Sequence, residues 1–193
     1  MRRRPPGLAI IETVTTTINP DGTVNCAAMG VEWGDEVIVI KPFRTTRTLR
    51  NLRATGEAVV NLTDDILLFT EAALGDPHPP TRPATTVAGA VLADACSWRE
   101  VTVEAIDASG RRARVTTQIV ASGSGREFVG FNRASSAVLE ASIIASRSRW
   151  LAAEEIRTEL ERLQVLVDKT AGPREREAME LVRRHVRAAV GDG

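Results

Sequence analysis

Five consecutive side chains are of the kinds that bind a phosphate group: Arg44, Thr45, Thr46, Arg47 and Thr48. They follow an apolar, strand-like run and precede Leu49 and Leu52, whose spacing is helical. A helix start carries unpaired N–H groups and about half a positive charge, so it attracts anions. Hydroxyls add neutral donors, and guanidinium groups add charged, bidentate ones. The segment predicts a site for a phosphate monoester held without a metal, with Lys41 as a further positive charge beside it.

A structural role is the alternative for the same segment. In that role the threonines cap the helix and the arginines form a solvated face. The motifs of two other classes of phosphate site are missing from the sequence. The chain has no GxxxxGK[ST] loop, which argues against a nucleoside triphosphate held with magnesium, and no GxGxxG after a strand, which argues against a Rossmann dinucleotide site.

The sequence singles out no catalytic acid or base. His78 lies in a proline-rich loop and His185 on the last predicted helix, so surface or packing roles are expected for both. Glu12 is only a weak candidate. Cys26 and Cys96 are far apart without CxxC spacing, which favours reduced thiols in a cytoplasmic protein over a disulfide framework, and no familiar zinc spacing joins them to the histidines.

Bulk properties narrow the class of protein. Lys plus Arg and Asp plus Glu number 25 each, so the net charge gives no indication of a nucleic-acid partner. No apolar run reaches the length of about 18 residues needed for a membrane span. The basic start of the chain is followed by too short an apolar stretch for a signal peptide, and residues 1–7 are expected to form a disordered tip.

The first half of the chain predicts a meander of strands interrupted by two short helices. The NPDG segment at 19–22 is typical of a tight turn between two strands. Gly56 lies where a helix stop belongs, and the TDD at 63–65 supplies good N-caps for the second helix. The predicted elements in this half are strands over 8–18, 23–33, 36–43 and 57–63 and helices over 46–55 and 65–74.

The second half predicts further strands and then helices. Residues 87–130 read as strands, with a hairpin around the DASG at 107–110 and another turn at the SGSG of 122–125. After Phe131 three groups of mostly apolar residues follow helical spacing: Leu139, Ile143, Ser146 and Trp150; Ile156, Leu160, Leu163 and Val167; Met179, Val182 and Val186. We therefore predict an α+β protein with a six- or seven-stranded barrel over 8–131 and a helical segment over 132–193.

The order of these motifs resembles the FMN-binding split-barrel proteins, which are similar to flavin reductases. The resemblance rests on five segments: DGTVNCAAMGV at 21–31, PFRTTRTLRNL at 42–52, VVNLTDD at 59–65, Asn132-Arg133-Ala134 and Glu140-Ala141. Within that group the chain more closely resembles a family of unknown function, mostly archaeal with some bacterial members, that adds a C-terminal helical segment. Two positions depart from its pattern: Ala28 replaces a proline and Ala145 replaces a histidine.

The resemblance implies a Greek-key-like antiparallel split β-barrel that binds FMN in a groove of a homodimer. It implies that the 44–48 cluster holds the phosphate and that the backbone of 25–30 lies against the isoalloxazine. The residues that it assigns to cofactor binding are Asn25, Ala27, Ala28, Met29, Gly30, Arg44, Thr45, Thr46, Arg47, Thr48, Asn61, Thr63, Asn132 and Arg133. Trp33, Trp98 and Trp150 are candidates to stack on the ring, although a single tryptophan more often packs in a core or an interface.

Three functions follow as hypotheses from the resemblance. The first is a homodimeric FMN oxidoreductase or reductase in which the cofactor supplies the redox chemistry. The second is a non-catalytic FMN carrier or electron-transfer module, which the lack of an acid or base favours. The third is a binding protein whose barrel has lost its cofactor, or one that takes another phosphate-bearing cofactor such as deazaflavin. No membrane or nucleic-acid partner is expected in any of them.

Overall fold

The computed structural model describes residues 9–190, so the predicted disordered tip at 1–7 lies outside the described residues. The strands of the described chain are β1 (Ile10–Ile18), β2 (Val24–Trp33), β3 (Val37–Ile40), β4 (Glu57–Leu62), β5 (Thr81–Pro83), β6 (Ala90–Leu92), β7 (Ser97–Asp107) and β8 (Arg114–Ser124). The helices are α1 (Arg47–Thr55), α2 (Ile66–Leu74), α3 (Arg133–Ala145), α4 (Ala153–Thr170) and α5 (Pro173–Val190).

Six of these strands close an antiparallel barrel in the order β1-β2-β3-β8-β7-β4. The chain forms β1, β2 and β3 as a meander and then returns through α1 to place β4 beside β1. This spatial order of β4-β1-β2-β3 is a Greek key, as predicted. Strands β5 and β6 form a separate two-stranded sheet.

The β1–β2 hairpin turns where the sequence predicts it. Gly22 has a φ of 83°, a left-handed conformation that a residue without a Cβ adopts at no steric cost. Asp21 accepts hydrogen bonds from the N–H and the hydroxyl of Thr23 at 3.0 and 2.6 Å. The hairpin then pairs without interruption from Ile10↔Glu32 to Ile18↔Val24, so each side chain of β1 shares a face with its partner on β2.

Helix α1 packs its apolar face into the core of the barrel. Leu49 and Leu52 are buried and belong to one cluster with Val31, Ile38, Ile40, Ala58, Val60, Val101, Ala113 and Val115. Thr46 caps the start of the helix, and Gly56 ends it with a φ of 70°. The two termini fall at the residues that the sequence indicates, and they fix where the 44–48 segment lies on the barrel.

A loop of the barrel unit is held by the buried carboxylate of Glu100 on β7. The residue is 1% exposed, and its side chain accepts bonds from the backbone N–H groups of Thr85, Thr86 and Val87 at 2.6–3.1 Å. The hydroxyl of Thr85 donates a further bond at 2.8 Å. Burial opposes ionisation, but these bonds outweigh it and hold the pKa of Glu100 below its ordinary value.

The described chain divides into two compact units whose limits differ from a cut near residue 131. The first holds the chain up to Thr63 and again from His78 to Glu127, and the second holds Asp64–Pro77 and the chain from Phe128 onward. Helix α2 belongs to the second unit because its side chains pack with α3 and α5. Thr70 is fully buried there, and its hydroxyl lies 2.9 Å from the Ser142 hydroxyl.

One local prediction from the sequence is wrong. The SGSG of 122–125 is largely strand and not a turn. Gly123 lies against Trp98 in that strand, where a Cβ would approach the indole to 2.1 Å. The predicted helix after Phe131 is present as α3, and its buried side chains are mostly small: Ala134, Ala137, Val138, Ala141, Ser142 and Ala145. Helices α4 and α5 bury the residues that their spacing predicts.

Candidate functional site

The start of α1 presents two guanidinium groups and a hydroxyl to solvent. Arg44, Thr45 and Arg47 are exposed, and Thr46 is half-buried. The Thr46 hydroxyl donates to the Phe43 carbonyl at 2.8 Å and accepts from the N–H of Leu49 at 3.4 Å, so its bonds serve the helix cap. The exposed groups are donors of the type that bind an anion at a helix start.

The charge of Arg47 also reaches the β1–β2 turn. The hydroxyl and N–H of Thr23 and, to a smaller extent, the positive charge of Arg47 hold the pKa of Asp21 below its ordinary value. The turn therefore stays anionic next to the helix start at neutral pH. Lys41, in contrast, forms a salt bridge with the carboxylate of Glu32. The same carboxylate accepts from the guanidinium group of Arg114 at 2.8 Å.

Thr48 does not lie with the exposed residues of the cluster. It is 2% exposed, and its hydroxyl accepts from the side-chain amide of Asn25 at 3.3 Å. The same amide donates to Thr17 at 3.1 Å. Asn51 completes the network by donating to Thr17 at 3.0 Å and to the side chain of Asn19 at 2.9 Å. These five side chains fix the start of α1 against the β1–β2 hairpin.

Thr17, Asn19 and Asn51 escaped the functional prediction. Each is a residue type that often caps helices or completes turns. Thr17 and Asn19 are distant from the cluster in sequence, and Asn51 lies one helical turn after it. The available signal was the helical spacing from Thr48 to Asn51, which places both polar side chains on the buried face of a short amphipathic helix. Polar residues at buried positions require partners, and the hairpin supplies them.

Strand β2 has an open edge next to this network. Its β1 edge is paired along its whole length, whereas β3 pairs only with Glu32 and Trp33. The N–H of Trp33 donates to Ala9 on the β1 side at 2.9 Å. Because backbone groups alternate along an antiparallel strand, Ala28 and Gly30 direct their N–H and C=O groups to the other edge. Within residues 9–190 no strand pairs with that edge along 24–31.

The small residues of β2 have different surroundings. Ala27, Ala28 and Met29 are half-buried, and Met29 packs against the barrel core. At Gly30 the space of a Cβ is already taken, since such an atom would lie 2.8 Å from Oε1 of Glu12 and 2.9 Å from Ile10. The absence of a side chain at Gly30 is therefore explained by its neighbour on β1, and it brings the carboxylate of Glu12 over the strand.

The other four predicted ligand residues lie on β4, directly after it, or at the start of α3. Asn61 is fully buried, donates to the Val14 carbonyl at 3.1 Å and accepts from the N–H of Leu92 at 3.0 Å. Thr63 is half-buried after the end of β4. Asn132 and Arg133 belong to the second unit, where Asn132 caps α3 by accepting from Ala134 at 2.7 Å and Arg133 is exposed.

The aromatic candidates also have local explanations. Trp33 packs on the barrel core, and Trp98 is 9% exposed over Gly123. Trp150 is 45% exposed in the second unit with the guanidinium group of Arg149 4.2 Å from its ring centroid. Ala145, at the position of the expected histidine, is fully buried.

The described residues contain neither a candidate metal cluster nor a membrane-spanning helix. No group of three or more His, Cys, Asp or Glu in residues 9–190 could hold a metal ion. None of the helices in this range is long and apolar enough to cross a membrane.

Comparison with known families matches nearly the whole of both units. Residues 11–126 match the N-terminal domain of a protein of unknown function, DUF447, and residues 132–184 match its remaining part. The chain belongs to the DUF447 family. The family resemblance inferred from the motifs is thereby confirmed.

Solved structures establish the fold of this DUF447 protein. An FMN-bound DUF447 protein from Methanosarcina mazei is 21% identical, with a TM-score of 0.81 over 92% of this chain and 95% of that one. The 2-nitrobenzoate 2-nitroreductase of Pseudomonas fluorescens is 23% identical, with a TM-score of 0.52 over 63% and 67% of the two chains. The flavin reductase of styrene monooxygenase from Pseudomonas putida is 15% identical, with a TM-score of 0.52 over 60% and 80%. The predicted split-barrel fold is confirmed.

Proposed function

We propose that this DUF447 protein binds FMN through the start of α1 and the open edge of β2, and works as a homodimeric flavin-dependent oxidoreductase. The observation that carries the proposal is the fixed position of exposed Arg44, Thr45 and Arg47 beside an unpaired strand edge. The Asn25–Thr48 bond of 3.3 Å links the two halves of this site directly. The similarity to an FMN-bound protein over 92% of the chain supports it.

The phosphate half of the site matches the chemistry of a monoester dianion. Arg44 and Arg47 offer charged N–H groups, Thr45 offers a hydroxyl, and α1 is long enough to orient its first N–H groups at the anion. The side chains of Thr46 and Thr48 hold the helix in place, through the cap and the buried network respectively. In this proposal Thr46 and Thr48 position the phosphate-binding residues and do not themselves contact the phosphate.

The ring half of the site matches the polar rim of a flat heterocycle. The N–H and C=O groups of Ala28 and Gly30 at the open edge of β2 provide alternating donors and acceptors, as a neighbouring strand would require. The half-buried Ala28 leaves room for a ring to approach this edge. When bound there, FMN supplies hydride and electron chemistry, while these residues bind and orient it.

The test is the flavin content of a variant that loses the two exposed guanidinium groups. We expect Arg44→Ala combined with Arg47→Ala to weaken FMN binding by a few kcal/mol, because charged hydrogen bonds contribute about 1.5–3 kcal/mol each. Absorbance of the purified protein, titration of the apoprotein with FMN and mass identification of the released chromophore are the measurements. Mass also distinguishes FMN from a deazaflavin.

The matched control is Arg53→Ala combined with Arg50→Ala on the same helix, which removes the same charge from exposed positions further along α1. FMN affinity should change little in this control. Unchanged FMN affinity in the Arg44 and Arg47 variant, with an unchanged circular dichroism spectrum, would rule out the phosphate assignment.

A carrier function is distinguished from an oxidoreductase by turnover. NADH or NADPH oxidation by the FMN-loaded protein, with a soluble electron acceptor, supports the oxidoreductase. A protein that retains FMN and is reduced chemically, but turns over neither nucleotide, would favour the carrier or electron-transfer module. Sedimentation equilibrium of the same sample tests the homodimer.

A further inference from the structure

We infer that the tip of the β7–β8 hairpin forms a second anion subsite next to the start of α1, suited to a nucleotide that carries a diphosphate. The residues that build it are Arg111 and Arg112, with Phe43 beneath them. This inference deepens the proposed function, since it concerns what binds beside the FMN phosphate, but its geometry is independent of FMN.

The hairpin tip is fastened to the segment that leads into α1. Phe43 and Arg112 form an antiparallel bridge, and the N–H of Ala113 donates to the Pro42 carbonyl at 2.9 Å. Arg112 also donates from its guanidinium group to the Lys41 carbonyl at 3.3 Å. Following the antiparallel direction from this bridge, Arg44 and Arg111 are the next residues on the two segments.

Both arginines of the hairpin tip place their guanidinium groups over the ring of Phe43. The guanidinium carbon of Arg112 lies 4.1 Å from the ring centroid and that of Arg111 lies 5.8 Å from it. A guanidinium group over an aromatic face keeps its N–H edge directed outward, and its planar fork matches phosphate oxygens. Both arginine side chains are exposed, so an incoming anion can reach them.

Phe43 also connects this subsite to the first one. Its carbonyl accepts from the N–H and the hydroxyl of Thr46, at 3.1 and 2.8 Å, and so anchors the α1 cap. The backbone of one residue thus holds the helix start while its ring holds the guanidinium groups of the hairpin tip. Two cationic groups in a fixed relation suit two linked phosphates better than one.

Two sources could supply the second phosphate. One is the adenylate half of FAD, in which the second phosphate is part of the flavin itself. The other is a separate nucleotide that binds to the FMN-loaded protein. The shared chemistry is a phosphate on the hairpin tip, and the two sources are separated by comparing FAD with FMN on the apoprotein and by adding ADP to the FMN-loaded protein.

The experiment is calorimetric titration of the wild type, Arg112→Ala, Arg112→Lys and Arg114→Ala. Arg114 is the matched control because it is an arginine on the same hairpin, two residues from Arg112, and its guanidinium group lies on the carboxylate of Glu32 at 2.8 Å. We expect Arg112→Ala to raise the Kd for ADP on the FMN-loaded protein, or for FAD on the apoprotein, by about tenfold. Arg112→Lys should recover only part of the affinity, since it keeps the charge without the planar fork.

FMN affinity is the readout that separates this inference from the proposed function. It should be unchanged in Arg112→Ala. Equal losses of FMN and FAD affinity would overturn the inference by assigning Arg112 to the first phosphate. Unchanged binding of both ADP and FAD in Arg112→Ala would also overturn it, as would an equal loss in Arg114→Ala. The remaining outcome is a wild type that takes up no FMN, but whose apoprotein binds ADP and loses this binding in Arg112→Ala. That outcome would refute the proposed function and support the second subsite.

Discussion

At the scale of single residues, Glu100 is the buried charge whose environment most clearly explains its ionisation. Four donors of the 85–87 segment converge on one carboxylate that is 1% exposed. A carboxylate that accepts several backbone N–H groups is stabilised in its charged form. The loop and the carboxylate therefore stabilise each other, and removal of either leaves the other with unsatisfied polar atoms.

Replacement of this carboxylate tests its contribution to stability. We expect Glu100→Gln to lower the free energy of unfolding by about 3 kcal/mol at neutral pH, because the amide NH₂ of Gln faces backbone N–H donors and loses charged hydrogen bonds. Urea unfolding measures the change. Glu104→Gln, on the exposed part of the same strand, is the control and should be nearly neutral.

The contribution of Glu100 should also depend on pH. Its pKa in the folded protein lies below the ordinary value of 4.5. The stabilisation is therefore fully present above the unfolded-state pKa and is lost as the pH falls through the folded-state pKa. The difference in unfolding free energy between the wild type and Glu100→Gln should narrow on acidification below about pH 4.5. A difference that is constant over this range would contradict the pKa assignment.

The 44–48 cluster illustrates how far sequence reasoning extends at this scale. The helix start and its cap at Thr46 followed from local spacing and residue type. The outward position of Arg44 and the burial of Thr48 did not, because burial depends on the β1–β2 hairpin packing over the helix. The sequence therefore indicated where the helix starts, but it could not separate the exposed side chains of the segment from the buried and capping ones.

At the scale of elements, the unequal pairing of β2 is the feature with the clearest consequence. The N–H of Ala27 points to β1, whereas that of Ala28 points to the open edge. The family resemblance leads us to expect proline at position 28, where this chain has alanine. A proline there removes a donor that no described strand uses.

Proline substitution at these two neighbouring positions tests the direction of the backbone groups. We expect Ala28→Pro to change the unfolding free energy by less than about 1 kcal/mol, since proline is tolerated at strand edges. Ala27→Pro removes a ladder bond to β1 and should cost roughly 2 kcal/mol or more. Denaturant unfolding followed by circular dichroism measures both. Equal costs would contradict the assigned alternation.

What the sequence-based prediction of the elements missed has a common physical origin in side-chain size. The SGSG of 122–125 has turn composition, yet Gly123 lies in a strand, where the indole of Trp98 fills the position that a Cβ would take. In α3 the large apolar residues Leu139 and Ile143, whose spacing indicated the helix, are only half-buried, and alanines, Val138 and Ser142 form the buried face. Small residues allow close approach of neighbouring elements, and a periodicity weighted by hydrophobic bulk does not register them. Strands β1 to β4 were predicted from their apolar runs and the turns between them. Helix α4 was predicted from its spacing, because its bulky apolar residues are also its buried ones.

At the scale of the whole molecule, the chain leaves the barrel unit after Thr63 and returns to it at His78. The excursion forms α2, whose buried residues include Ile66, Leu68 and Phe69. Asp65 caps that helix and pairs with Arg174 of α5. Helix α2 is therefore a part of the second unit that is encoded within the first.

Truncation tests this connectivity. A fragment that ends at Glu127 retains α2 but lacks the helices that bury it, so it exposes a large apolar face. We expect this fragment to aggregate. The same fragment with 64–77 replaced by a Gly/Ser linker of equal length is the control and should remain monodisperse with barrel circular dichroism. Aggregation of both fragments alike would show that α2 is not the cause.

The excursion at 64–77 also constrains how the gene can change. A single crossover after the barrel would carry α2 away from the helices that cover it, and a single crossover before α3 would give a recipient those helices without their fourth member. Neither half can be exchanged as a cassette by one recombination event. Exchange of either unit of this chain therefore requires coordinated breaks at three junctions, after residues 63, 77 and 127.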